Sequence, residues 1–162
     1  MEEYQDLTSS VYEGWHRYQS ALLKALRSLE PDQLTLRAAP HLRSVGEIAR
    51  HMVGARARWF QSLVGDEGEE FSILGKWDRR GAPERSAEEL VSGLERSWQV
   101  MQDAIKRWSR EDWEQTYSGE DDSEPDVFTR RWVIWHLIEH DLHHGGEVSL
   151  TLGTHGVRAV DL

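Results

Sequence analysis

The stretch WHLIEHDLHHGGE, residues 135–147, places four of the chain's eight histidines in one segment with helical periodicity. At roughly 100° per residue, His140 and His144 stand about 40° apart, one turn along the same face. Val133, Leu137, Val148 and Thr151 share that side, so both imidazoles are expected to face the interior of a helical assembly or its rim. His136 and Glu147 fall on the same broad arc, and His143 lies at its edge. Two histidines at i and i+4 can reach one metal ion because their side chains lean the same way along the helix. The competing description is a pair of hydrogen-bonded histidines. Burying several titratable rings without a shared purpose is costly, which favours the metal.

Working outward, Thr129 reads as the cap of this last helix, Arg130 to about Leu152, with Gly153 as its stop. Three further helices are expected. The first spans about Glu3 to Leu29, with Leu7, Val11, Trp15, Tyr18, Leu22, Leu26 and Leu29 at three- and four-residue steps. After a proline-containing connector, Ser44 and Glu47 form a capping box that opens the second. Its stripe is Ile48, Met52, Ala55, Trp59 and Leu63, and Gly65 is its stop. Residues 66–85 read as a long irregular loop, and loops of that length are often functional. Ser86 and Glu89 form another capping box before the third helix, which carries Leu90, Leu94, Trp98, Met101, Ile105 and Trp108. Residues 109–113 read as a short turn or cap. The acidic run GEDDSEPD, 119–126, reads as a solvated loop. No strand pair or repeat stands out. The expected fold class is all-α: a four-helix bundle with an irregular segment between the second and third helices, formed by residues 1–162 as a single domain.

Composition narrows the function classes. A net charge of −10 and a pI near 5.2 argue against nucleic acid as a partner, since that binding needs a basic face. They also disfavour an anionic membrane surface. No apolar run is long enough to span a bilayer, and MEEYQDLTSS lacks a signal-peptide pattern. The expectation is a soluble, cytoplasmic domain. With no cysteine, a protein metal site must draw on His, Asp or Glu. Eight tryptophans suggest a bundle core with a wet interface, or else an aromatic pocket or dimer face.

The third ligand should come from a facing helix, and His51 in SVGEIARHMVGARARWF is the best placed. Three neutral imidazoles with an open position suit a catalytic metal, and zinc, nickel, iron and manganese all fit. HExxH is absent, and Glu47–His51 and Glu139–His143 are four apart rather than three, which excludes a ferritin-type pair of ExxH motifs. Glu47 either caps its helix or accepts the second ring N–H of His51 from outside the ligand set. His136 either supports a ligand in the same way or is a satisfied core histidine. His143 and Glu147 are the candidate general bases, with a solvated edge position as the plainer description of His143. His16, His41 and His155 have no spacing that recruits them.

SVGEIARHMV and HLIEHDLHHGGEVSLTLG together resemble the second-helix opening and last-helix pattern of the DinB/YfiT-like superfamily of metal-dependent enzymes. The resemblance extends to the layout of the whole chain. It implies a four-helix bundle holding a divalent transition metal ion on His51, His140 and His144. It also implies a thiol-dependent S-transferase that joins a low-molecular-weight thiol cosubstrate, of the bacillithiol or mycothiol type, to a small-molecule electrophile in detoxification or stress response. Many members form homodimers. Where the family tail often reads His-Arg-Gly-Gln, this chain has His144-Gly145-Gly146-Glu147. Each glycine should cost the helix about 1 kcal/mol relative to alanine, for close packing or for substrate room. Two alternatives share the same residues: a non-catalytic, metal- or ligand-binding homodimer, and a metal-dependent hydrolase.

Overall fold

A computed structural model describes residues 2–64, 69–118 and 127–162. Gly65 and the acidic run 119–126 therefore lie outside the described residues. The elements in chain order are α1 (Glu2–Arg27), a 3-10 turn (Gln33–Thr35), α2 (Val45–Val64), α3 (Glu69–Leu74), α4 (Ala87–Arg107), α5 (Arg110–Trp113), β1 (Thr116–Ser118), β2 (Val127–Thr129) and α6 (Arg130–Thr154).

Local chemistry accounts for where the long helices begin. Ser44 Oγ accepts from Glu47 N at 3.2 Å while Glu47 Oε2 accepts from Ser44 N at 2.7 Å. Ser86 and Glu89 repeat this box for α4, and Thr129 Oγ1 accepts from Trp132 N at 3.1 Å to open α6. The end of α6 differs from expectation. The helix runs through Gly153, and His155 and Gly156 close it. Gly156 N bonds to Gly153 O at 3.1 Å and Val157 N to Leu152 O at 2.9 Å, with Gly156 at φ +70°. This is a Schellman ending, and it needs the left-handed residue that glycine tolerates.

The architecture is all-α, a four-helix bundle. α2 packs against α4 and α6, and α1 packs against the same two, giving the ring order α1–α4–α2–α6. Leu22, Leu26, Met52, Phe60, Leu90, Leu94, Met101, Leu137 and Leu152 fill the space between them and are fully buried. The segment between α2 and α4 is less irregular than expected, because α3 lies within it and buries Phe71 and Leu74. A further difference is the antiparallel pair β1–β2, with Tyr117 opposite Phe128. Three-residue strands are too short for a period of two to show in sequence. No helix among the described residues is long and apolar enough to cross a membrane.

One buried network reaches all four long helices. Arg56 of α2 is wholly buried, and its Nε and Nη2 donate to Asp141 of α6 at 2.9 and 2.6 Å. Its Nη2 also donates to Gln19 of α1 at 2.7 Å, and its Nη1 to the Leu94 carbonyl of α4 at 3.2 Å. Trp15 Nε1 donates to Asp141 at 2.7 Å. Every charged atom is thus matched, the condition under which a buried ion pair is tolerated. The network also fixes the rotation of α6 beside His140 and His144.

Candidate metal centre

The close packing of α2 on α6 carries His51 to His140 and His144. Ring centroids are 5.0 Å apart for His51–His140, 4.7 Å for His51–His144 and 4.4 Å for His140–His144. One nitrogen from each ring lies within 4.8 Å of the other two, and Nε2 of His51 is 3.2 Å from Nε2 of His140. Tetrahedral zinc with ligands at its usual bond length would hold two nitrogens about 3.3 Å apart. The spacing suits a shared ion.

Proton placement follows from the outer partners. His51 Nδ1 is 2.8 Å from Asp78 Oδ2, and His144 Nδ1 is 2.6 Å from Glu147 Oε2. A carboxylate accepts, so each Nδ1 carries a hydrogen, and Nε2 is the atom that offers a lone pair when the ring is neutral. Burial opposes ionisation of Asp78, yet hydrogen bonds from Arg58 and His51 outweigh it and hold its pKa below the usual value. Burial, reinforced by the neighbouring His144 and His51, pushes His140 down to about 3. Burial also lowers His144 despite the opposing pull of Glu147. Two neutral rings and His51, oriented by Asp78, make a donor set suited to a transition metal, and the buried Nδ1 of half-buried His140 has no partner among the described residues.

The structure brings His51, His140 and His144 together and assigns Glu47 elsewhere. Glu47 holds the Ser44 amide and pairs with Arg37 at 2.7 Å; the Arg37 bond, partly opposed by burial, keeps its pKa low. The carboxylate on His51 is Asp78 instead. It arrives from the segment read as a loop and is clamped by Arg58 at 2.5 and 2.9 Å. Gly54 makes the approach possible, since a Cβ there would lie 2.7 Å from Asp78 Oδ1. His136 is not a core histidine. It is half-buried, bonds Glu139 at 3.0 Å and stacks on Trp132 at 5.1 Å with 8° between planes. His143 sits exposed at the rim, 3.6 Å from Glu147. With His144, these two form another group whose donor atoms lie within 4.8 Å of one another.

Sequence reasoning missed Asp78, Arg58, Arg56 and Asp141. Two of them carried a signal. Arg56 falls between Met52 and Phe60 in steps of four, and Asp141 lies four past Leu137 and seven before Val148. Opposite charges at core-facing positions of two helices ask for each other. Asp78 carried none, because nothing local ties it to a histidine 27 residues away.

An aromatic wall leads along α6 toward the histidines. Phe128 stacks on Trp132 at 4.4 Å, Trp132 on His136, and Trp59 of α2 meets His136 at 4.9 Å. The tryptophans divide accordingly: Trp15, Trp77 and Trp98 are buried in the core, while Trp132 and Trp135 remain exposed.

Comparison with known proteins places the chain in a family. The model of the DinB superfamily matches residues 15–148. No curated protein matches the chain. Among solved structures, a DinB-like protein from Bacillus cereus is similar over 95% of this chain and 96% of its own, at 19% identity and TM-score 0.73. A conserved protein from Enterococcus faecalis covers 90% of this chain and 97% of its own, at 15% identity and TM-score 0.67. YfiT from Bacillus subtilis is described as a probable metal-dependent hydrolase with an unusual four-helix bundle topology. It covers 92% of this chain and 87% of its own, at 11% identity and TM-score 0.69.

Proposed function

The chain belongs to the DinB superfamily, and on that premise we propose that it is a metal-dependent enzyme with His51, His140 and His144 as ligands and a thiol-dependent S-transfer as its reaction. The observation that carries the metal is the pair of Nε2 atoms 3.2 Å apart, with the outer nitrogens of His51 and His144 held by Asp78 and Glu147. A divalent ion bound there supplies Lewis acidity, lowering the pKa of a thiol or water so that it is nucleophilic near neutral pH. The chain's own groups do the rest. Asp78 and Glu147 fix ring orientation and aim the inward nitrogens of His51 and His144 at the site. Glu147 is half-exposed, and its Oε1 faces His143 at 3.6 Å. The pair thus offers a proton acceptor at the mouth of the site. The wall of Trp59, Phe128, Trp132 and His136 offers apolar, stackable surface for an electrophile.

A hydrolase is the second reading, favoured by the description of YfiT as a probable metal-dependent hydrolase. The same histidines would serve with water in place of the thiol. Elemental analysis of the purified protein tests the shared premise: about one transition metal per chain is expected, lost in His140→Ala. Protein that stays metal-free after exposure to zinc, nickel and manganese ends both readings. Electrophile turnover with and without added thiol then separates transfer from hydrolysis.

A further inference from the structure

A cleft of about 420 Å³ opens beside the histidines, with His51 and Asp78 on the shared wall. Its charge is opposite to that of the chain. Arg37, Arg43, Arg50, Arg79 and Arg80 line it against two carboxylates, Glu47 and Asp78. Both carboxylates are already engaged, Glu47 by Arg37 and Asp78 by Arg58 and His51. A protein of net charge −10 thus gathers five guanidinium groups around one concavity. Like charges repel, so such a gathering costs stability unless an anion comes to it.

The cluster is also pre-set. Arg50 Nη1 donates to the carbonyls of Ala82 and Pro83 at 3.0 and 2.9 Å, tying α2 to the opposite lip. That lip is a turn closed by Ala82 N on Arg79 O at 2.9 Å, with Gly81 at φ +81° as its third residue. A left-handed third residue is what this turn form requires. It leaves Arg79 and Arg80 exposed on the cleft, and neither they nor Arg43 has a side-chain ion pair among the described residues. Planar guanidinium forks match carboxylate and phosphate oxygens in pairs, which a scattered set of surface lysines would not do.

We infer that this cleft is the binding site for a small dianionic group, a dicarboxylate or a phosphate, carried by the molecule that reacts beside His51. The inference rests on the proposed metal-dependent function and adds the chemical class of the substrate. An anion held by Arg43, Arg79 and Arg80 would tether one end of the substrate while its reactive end reached the histidines. The aromatic wall would be left to the second, apolar reactant.

The test is calorimetric titration of the intact protein with inorganic phosphate and, separately, with succinate, at an ionic strength fixed by sodium chloride. Saturable binding is expected for at least one of them, and which one identifies the source of the dianion. Arg79→Gln/Arg80→Gln should weaken binding tenfold or more. Arg43→Gln should weaken it severalfold, which keeps the result readable if the double variant folds poorly. Arg107→Gln, the same change of charge at the other end of α4, should leave binding unaltered. No heat beyond that of chloride, or equal binding by the Arg43 and Arg79/Arg80 variants and the wild type, overturns the inference. Metal content is measured on the same preparations. Anion binding that persists in metal-free protein supports the cleft while the metal reading fails, and metal without anion binding does the reverse.

Discussion

Replacing Arg56 with methionine tests whether the buried network holds the bundle together. Methionine retains much of the aliphatic volume, so the main loss is electrostatic. Four hydrogen bonds vanish: two to Asp141, one to Gln19 and one to the Leu94 carbonyl. Asp141, 1% exposed, would keep only the Trp15 indole at 2.7 Å. Removing one partner of a buried pair costs about 3–5 kcal/mol, because a charge remains without compensation. For a chain of this size that corresponds to a fall in Tm on the order of 10–15 °C. Urea unfolding followed by circular dichroism reads it, with m unchanged if only the folded state is affected. The companion is Arg56→Met/Asp141→Leu, which removes both charges. It should recover most of the loss, leaving about 1–2 kcal/mol for the Trp15 indole N–H and the Gln19 Oε1 left without partners, while Gln19 Nε2 keeps the Leu94 carbonyl. A single substitution costing under about 1 kcal/mol, or a double variant less stable than the single, would refute this account.

Three further outcomes are expected. Asp78→Asn should reduce metal affinity by about 10–100-fold in a chelator competition, as loss of an outer carboxylate does, whereas Glu47→Gln should leave it unchanged. Gly145→Ala and Gly146→Ala should shift stability in opposite directions. A Cβ at 145 would lie 2.7 and 2.8 Å from Cε1 and Cζ of Tyr18 and cost about 1–3 kcal/mol, while nothing lies within 4 Å of one at 146, where alanine should gain up to about 1 kcal/mol. Finally, the Arg37 bond lowers the folded-state pKa of Glu47, so on acidification the unfolded chain takes up that proton first. The stability Glu47 contributes is complete above its unfolded pKa, near 4.3, and is lost as pH falls through the lower folded value. Glu47→Gln should therefore flatten the acid limb of a stability–pH curve, and an unaltered limb would count against the pairing.

The glycine prediction bears on the unusual tail. An arginine at position 145 has no room here, because the Tyr18 ring packs on that backbone and its hydroxyl donates to the Leu142 carbonyl at 3.3 Å. Close packing explains Gly145. Gly146 is exposed, with nothing within 4 Å of a Cβ placed there, so packing does not explain it.

Much of the fold was legible in the chain because its causes are local. Capping boxes at Ser44 and Ser86 and the cap at Thr129 need only neighbouring residues, and so does the i, i+4 placement of His140 and His144. Periodicity over twenty or more residues identifies each long helix whatever it packs on. Three-residue strands and the six-residue α3 fall below what periodicity can register. The helix α6 runs two residues past the expected end at Leu152, because Gly153 stays helical and Gly156, at φ +70°, closes it, a choice that nothing local in the sequence makes.

What tertiary structure alone decided are the relations between distant segments. Local pattern sets four long helices, a cysteine-free donor set and a histidine pair on one helical face. It left open whether Glu47 serves its cap or His51, since both lie within one turn. The fold resolves this by delivering Asp78 over Gly54, a meeting that depends on how residues 69–85 pack on α2. Arg56 with Asp141, and the arginine cleft, depend on the same packing. Charges 85 residues apart in the chain become partners only once α2 and α6 share a core. Helix periodicity is a property of neighbours along the chain, whereas electrostatic partnership is a property of neighbours in space.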